Sequence, residues 1–307
     1  MTRPVTRSIQ LQGHRGARGL FPENTLEGFV ETLAIGVDVL EMDVGLTVDG
    51  QVVVTHDPSL NPDIARTAGG AWLAGPGPMI GSVTHEALLA YDVGRIRPGS
   101  AYAGSFPDQA PHDGARIPGL AEVIGLDPEI RFDIELKTFP LHPEWTASPG
   151  EMADAVLAVL DATGAAGRAT VQSFDWRGLR HLRACRPDLT LSWLTRSSTG
   201  AETRLWWDGP DPSDYGGSVP RAVAAEGGTV WAPEYGDLTA ELVAEAHGLG
   251  LQVVPWTVNR PDDMRRLIGF GVDGLISDRP DLARRVLQAA GLATPPTRSS
   301  ARVIKAG

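Results

Sequence analysis

With 307 residues, 42% of them apolar and 21% charged, the chain has the size at which one large α/β core forms a single domain. Its formal net charge of −11 argues against nucleic acid or an anionic membrane surface as partner, because polyanions are gripped mainly by Lys and Arg. Its single cysteine, Cys185, excludes an internal disulfide framework and a multi-cysteine metal site.

The N-terminal residues lack the apolar core of a signal peptide, and no run approaches the roughly 18 apolar residues of a membrane span. A cytoplasmic protein without stable membrane insertion is expected. The chain opens with a strand, SIQLQG, and a helix, NTLEGFVETLAIG, for which Asn24 is the expected N-cap with Glu27 three residues later. Two strands, VLEMDVGLT and QVVVTHD, turn across Asp49 and Gly50. From residue 130 onward, β-branched runs (RFDIELK, ATVQSF, TLSWLT, TVWAPEY, LQVVPWTV, GLISD) alternate with helical patterns such as MADAVLAVLDATG and PDLARRVLQAAG. This alternation predicts parallel βα units. About eight such strands favour a TIM-type (β/α)8 barrel, although counting leaves an open doubly wound sheet available.

Two stretches break the rhythm. Residues 58–118, rich in Gly, Pro and Asp around THEALLAYDVG, are too long for an ordinary connection. Residues 197–228 are also irregular and carry Trp206 and Trp207. We expect one domain over residues 1–292, with 58–118 as an insertion near the active site, and a flexible tail over 293–307. Cys185 lies in a helical, Arg-rich stretch without an evident catalytic partner and is expected to be inert.

Residues i and i+2 of a strand share a face, so VLEMDV sets Glu41 and Asp43 together while Met42 and Val44 face an apolar layer. In RFDIELK the same spacing groups Asp133, Glu135 and Lys137. Buried carboxylates are costly unless paired or bound to a cation. Oxygen ligands suit Mg²⁺ or Ca²⁺, and a structural salt-bridge network is the competing explanation. His14 and His56 each follow a strand, where barrel enzymes keep catalytic groups. A histidine pair can supply both a general base and a general acid, while a lone histidine there is more often structural. The other five histidines lack comparable neighbours. Gly13 and Gly16 are expected to permit a tight turn around His14. Glu23 and Asn24 are candidates to cap and orient the helix, with substrate contact an equal alternative for Asn24; Asp273 and Asp278 are assigned to fixing the last strand and its loop, and Gln172 and Asp175 to substrate contact or structure.

The segments HRGARGLFPENTLEGF (14–29), LEMDVGLTVDGQVVVTHD (40–57), DIELK (133–137), VQSFD (171–175), WTVN (256–259) and GVDGLISDRP (271–280) resemble, in order, the glycerophosphodiester phosphodiesterase family. The resemblance implies a TIM-type barrel and divalent-cation-dependent hydrolysis of glycerophosphodiesters to glycerol 3-phosphate and an alcohol. It makes His14 and His56 the acid/base pair, Glu41, Asp43 and Glu135 the metal ligands, and Arg15 and Lys137 the phosphate-facing cations. Trp256 matches an aromatic position near the substrate. The nucleophile implied is the glycerol 2-hydroxyl, which gives a cyclic phosphate that water opens.

The 58–118 insertion departs from the family pattern, and Trp72, Tyr91, Tyr102 and Phe106 are candidates to line the pocket for the alcohol group. A lysophospholipase D or sphingomyelinase D-like enzyme is the nearest alternative. A non-catalytic phosphate- or metal-binding barrel is a further one. The choice between Mg²⁺ and Ca²⁺ stays open, as does an oligomeric assembly.

Overall fold

The computed structural model describes residues 8–197 and 200–298. Strand β1 (Gln10–Gly13) and helix α1 (Leu26–Ile35) lead into β2 (Val39–Leu46), which turns back as β3 (Val52–Val54). The insertion holds α2 (His85–Leu88) and α3 (Ala101–Ser105), and α4 (Leu120–Ile124) returns the chain to the sheet. Then follow β4 (Arg131–Leu136), α5 (Pro149–Thr163), β5 (Ala169–Ser173), α6 (Trp176–Cys185) and β6 (Thr190–Thr195). Helices α7 (Gly200–Trp206) and α8 (Val219–Ala225) precede β7 (Val230–Pro233), α9 (Ala240–Gly248), β8 (Gln252–Val253), α10 (Pro261–Phe270), β9 (Gly274–Ser277) and α11 (Pro280–Ala289).

Eight parallel strands run in the order β8-β7-β6-β5-β4-β2-β1-β9, and β3 adds antiparallel to β2. The two ends meet through backbone bonds: Asp273 N donates to Val253 O at 2.8 Å, Ile276 N to Pro255 O at 3.0 Å and Val258 N to Ile276 O at 2.8 Å. The sheet is thus a nearly closed barrel of the TIM type, as the alternation predicts.

Strand alternation explains how apolar and acidic residues share β2 and β4. Leu40, Met42 and Val44 of β2 join Phe132, Ile134 and Leu136 of β4 in the core beneath the helices. The intervening Glu41, Asp43, Asp133 and Glu135 are buried as well, on the face directed into the barrel. Both faces of these strands are therefore dry, and polar groups inside must satisfy one another or bind something.

Three local expectations change. Thr25, not Asn24, caps α1, its hydroxyl accepting from Gly28 N at 3.0 Å. Asn24 instead adopts φ 54° and donates its amide to Asp43 Oδ2 at 3.0 Å. Asn tolerates this left-handed conformation better than most residues. The insertion has its own small core, in which Leu60, Ala65, Ile80, Leu88, Val93 and Ile117 pack on Val53 of β3. At the C-terminal end, Arg298 N donates to Leu33 O at 2.9 Å, and its guanidinium pairs with Asp127 and Glu129. The expected loose tail is therefore anchored at its start, and residues 299–307 lie outside the described part.

Candidate active site

The register of β2 on β4 pairs Glu41 with Asp133 and Asp43 with Glu135. Glu41, Asp43 and Glu135 consequently offer carboxylate oxygens within 4.8 Å of one another, all buried. Glu41 accepts from Arg15 N at 2.8 Å and from the Gln172 amide at 3.0 Å. Asp43 Oδ2 accepts from the Asn24 amide at 3.0 Å and faces Arg15 Nε at 3.0 Å as an ion pair, but its buried Oδ1 accepts no hydrogen bond. Burial first, then the charges of Asp43 and Glu135, push the Glu41 carboxyl well above its ordinary range. Burial likewise raises Glu135, against the pull of Lys137. Asp43 goes the other way: burial opposes its ionisation, but Arg15 and other nearby cations outweigh that and hold it well below.

His14 follows β1 and is tied to β9 by its backbone N–H to Ser277 O at 2.9 Å. Asp278, the next residue on that strand, meets His14 Nδ1 at 2.6 Å, while Nε2 stands 3.9 Å from Glu41 Oε2. Burial lowers His14 to about 4, Asp278 opposing and Arg18 assisting. Asp278 stays ionised well below the usual carboxylate range, because His14 and Arg18 outweigh its own burial. At neutral pH the histidine is therefore neutral, its Nδ1–H donating to Asp278 and its Nε2 lone pair free for a proton.

The tight turn around His14 has a steric cause. A Cβ on Gly13 would sit 2.2 Å from Gly16 O, and Gly16 itself has φ 86°.

His56 reaches the same cavity from β3, whose antiparallel return on β2 carries Thr55 N onto Asp43 O at 2.9 Å. Its Nδ1 lies 2.7 Å from Asp57 Oδ1, and its side chain is 31% exposed against 11% for His14. Each histidine thus presents one nitrogen to a carboxylate and the other to the cavity, one in a dry setting and one in a wetter one.

Arg15, held at φ 51°, bonds Glu23 at 2.8 Å and faces Asp43; Lys137 sits 2.8 Å from Glu135 and 3.6 Å from Asp43. Arg15 and Lys137 offset half of the charge of Glu23, Glu41, Asp43 and Glu135, and a divalent ion on the carboxylates would offset the rest, which removes the repulsion a monoanionic phosphodiester would otherwise meet.

These groups open into a cavity of about 390 Å³ whose lining includes His14, Arg15, Glu41, His56, Glu135 and Lys137, with Asp43 fully buried below. The rest of the lining includes five rings, Phe139, Phe174, Trp206, Trp207 and Trp256, beside the polar Thr195, Arg196, Glu202 and Thr203. Trp256 is fixed by its indole N–H to Ala232 O at 2.9 Å and meets the Phe174 ring edge-on at 5.2 Å. Trp207 stacks on Trp176 at 3.9 Å, which anchors the segment carrying Trp206.

Among the candidates from the insertion, none of Trp72, Tyr91, Tyr102 and Phe106 lines this cavity. Trp72 lies under Arg66, and Tyr91 packs on the insertion's own core. Phe106 lies under Arg18, and Tyr102 donates its hydroxyl to Glu23. The insertion thus touches the site through the partners of Arg15 and Arg18. Asp278 and Asp57 were legible only as neighbours of the GLIS strand and of His56, and their hold on the histidine rings needs the fold. Arg18, which bonds Asp278 through Nε at 3.0 Å, lies one helical turn beyond His14. Asp175 turns out to cap α6 and pair with Arg177, and Asp273 ties the β8 backbone.

Residues 14–282 match the glycerophosphoryl diester phosphodiesterase family. A glycerophosphodiester phosphodiesterase of Caldanaerobacter subterraneus subsp. tengcongensis is 28% identical over 281 residues, 91% of this chain and 97% of that one. A Silicibacter pomeroyi protein assigned to the glycerophosphoryl diester phosphodiesterases superposes with a TM-score of 0.85 at 41% identity, over 95% and 96% of the two chains. An Oleispira antarctica phosphodiesterase, solved with the product sn-glycerol-3-phosphate, shares the fold at 20% identity and a TM-score of 0.67, over 92% and 97%. The chain belongs to the glycerophosphoryl diester phosphodiesterase family.

Proposed function

We propose that the protein hydrolyses glycerophosphodiesters to glycerol 3-phosphate and an alcohol, with a divalent cation held by Glu41, Asp43 and Glu135. The observation that carries this reading is one cavity in which two carboxylate-oriented histidines flank three buried carboxylates. Asp43 Oδ1, which accepts no hydrogen bond, and the raised carboxyl of Glu41 fit a hard ion such as Mg²⁺ or Ca²⁺. When bound, such an ion supplies charge stabilisation to phosphoryl oxygens.

In the first step His14 Nε2 takes the proton of the glycerol 2-hydroxyl, whose oxygen bonds to phosphorus as the bond to the alcohol oxygen breaks. His56 gives the leaving oxygen its proton, and a cyclic phosphate remains. In the second step neutral His56 takes a proton from water, the water oxygen bonds to phosphorus, and protonated His14 returns its proton to the departing 2-oxygen. The dry setting that lowers His14 makes that return easy. Arg15 and Lys137 steady the phosphoryl charge, and Trp256 packs on the substrate carbons. The Oleispira antarctica relative holds the product this scheme ends on.

The aromatic wall favours a second reading, a lysophospholipase D that accepts an apolar chain. The test is a panel containing glycerophosphocholine and lysophosphatidylcholine, with product identification, run with chelator and with Mg²⁺ or Ca²⁺ restored. Cation-dependent release of glycerol 3-phosphate supports the main reading, and choline release from the lipid alone supports the second. No cleavage of either under any condition would reject both in favour of a non-catalytic barrel.

A further inference from the structure

The outer surface of the barrel carries a second cluster that the phosphodiesterase chemistry does not use. His181 and Cys185 are four residues apart on α6 and so share a helix face. Asp154 reaches them from the neighbouring helix α5. His181 Nε2 lies 2.6 Å from Asp154 Oδ1 and 3.8 Å from Cys185 Sγ, and one atom from each residue falls within 4.8 Å of the others. Cys185, expected from the sequence to be without partners, thus has an imidazole and a carboxylate beside it.

The distances suit a particular class of ion. Ligands at about 2.3 Å for sulfur and about 2.0–2.1 Å for nitrogen on a tetrahedral centre stand roughly 3.6 Å apart, close to the observed separation of Cys185 and His181. The 2.6 Å Asp154–His181 contact is a hydrogen bond whose proton an ion would replace. Asp154 is 62% exposed, so its carboxylate can rotate outward at little cost.

Neighbouring cations do not block the place, since Arg186 pairs with Asp161 while Arg180 and Arg183 pair with Glu226. Cys185 is the last residue of α6, about 13 Å of helix beyond Trp176 at 1.5 Å per residue. None of Asp154, His181 and Cys185 lines the catalytic cavity.

We propose that Asp154, His181 and Cys185 form a surface site for a thiophilic divalent cation of the Zn²⁺ class, which links α5 to α6 and leaves a fourth position to solvent. Thiolate and imidazole select such an ion, whereas the all-oxygen set of Glu41, Asp43 and Glu135 selects a hard one. Binding releases the Cys185 thiol proton to solvent and needs neutral His181 with its proton on Nδ1.

Because Cys185 is the chain's single cysteine, thiolate-to-cobalt charge-transfer absorption reads this site alone. Reduced protein with excess Mg²⁺ filling the carboxylate site, titrated with Co²⁺, is expected to develop that band at one equivalent and lose it on adding Zn²⁺. Cys185→Ser should abolish the band and His181→Ala should weaken it, while Glu41→Gln keeps it. Zn²⁺ should also slow alkylation of Cys185 in the wild type but not in His181→Ala. Absence of the band in the wild type, or equal alkylation rates with and without Zn²⁺, would overturn the proposal.

Discussion

The two halves of the barrel build opposite walls of one cavity, and they do so by different means. Strands β1 to β4 contribute the proposed reacting groups and most of the charge: His14, Arg15, Glu41, His56, Glu135 and Lys137. Each sits in or just after a strand, fixed by register and by a carboxylate or backbone partner. Strands β5 to β9 and their loops contribute most of the rings, Phe174, Trp206, Trp207 and Trp256, beside polar groups such as Gln172, Arg196 and Glu202. The first wall is rigid and electrostatic, as chemistry at phosphorus demands. The second stands on connecting segments, where specificity changes without disturbing the chemistry.

Breaking the first wall should cost most. Replacing His14 by Ala is expected to lower kcat by roughly 10²–10⁴ in a protein whose circular dichroism and melting are unchanged. Wild-type rates in that variant would remove His14 from the mechanism. Asp278→Asn keeps the shape but loses the charge that orients His14, and a fall of about 10²-fold in kcat/KM is expected. Asp278 raises the His14 pKa, so its loss should move the acid limb of the pH profile to lower pH. A limb that stays in place or moves upward would mean that Asp278 does not govern the ring.

The proposed cation site gives the first wall a pH signature. Glu41 and Asp133 are raised above the ordinary carboxylate range by burial first and by neighbouring carboxylates second, Asp133 to about 8. Their protonated forms suit the metal-free fold. The stability they contribute is whole below about pH 4 and is lost as the pH climbs towards 8. Metal-free protein should therefore lose melting temperature over that window, and Asp133→Asn should flatten the slope. Mg²⁺ or Ca²⁺ should restore stability most at the alkaline end, since protons no longer compete for Glu41. Titration of Asp43 and Asp278 carries the opposite sign and acts only in stronger acid.

The second wall should fail differently. Trp206→Ala is expected to raise KM about tenfold for diesters with a bulky or apolar alcohol, leaving kcat near wild type, the pattern of lost uniform binding. Glycerophosphodiesters with small alcohols should be barely affected. A loss confined to kcat would place Trp206 with the chemistry and erase the contrast between the walls.

The same contrast explains what could be read from the chain itself. Alternation in VLEMDV and RFDIELK placed Glu41, Asp43 and Glu135 on one face, because a strand's period of two is written locally. The order of the βα units carried the barrel. The partners that tune the site were not local: Asp278 meets His14 across 264 residues, and Gln172 meets Glu41 across 131. Trp206 and Phe174 become a wall only when β5 and the segment after β6 lie side by side. Asn24 misled for a related reason, since capping is its commonest use and the pull of buried Asp43 appears only in the folded chain.

The smallest expected effect concerns the insertion, which lies outside both walls yet touches the first. Tyr102 donates to Glu23, which in turn holds Arg15, and its ring packs edge-on against Phe106 at 5.0 Å. Tyr102→Phe keeps the ring and removes only the hydroxyl. A hydrogen bond to a carboxylate contributes about 1.5–3 kcal/mol, so the melting temperature should fall by roughly a few degrees and kcat/KM by about threefold to tenfold. Trp72→Phe, whose ring lies under Arg66 within the insertion, should change stability and leave kcat/KM alone. If Tyr102→Phe matched the wild type in kcat/KM, Arg15 would be held by Glu23 and Asp43 without help from the insertion, which would then act on the site only through packing.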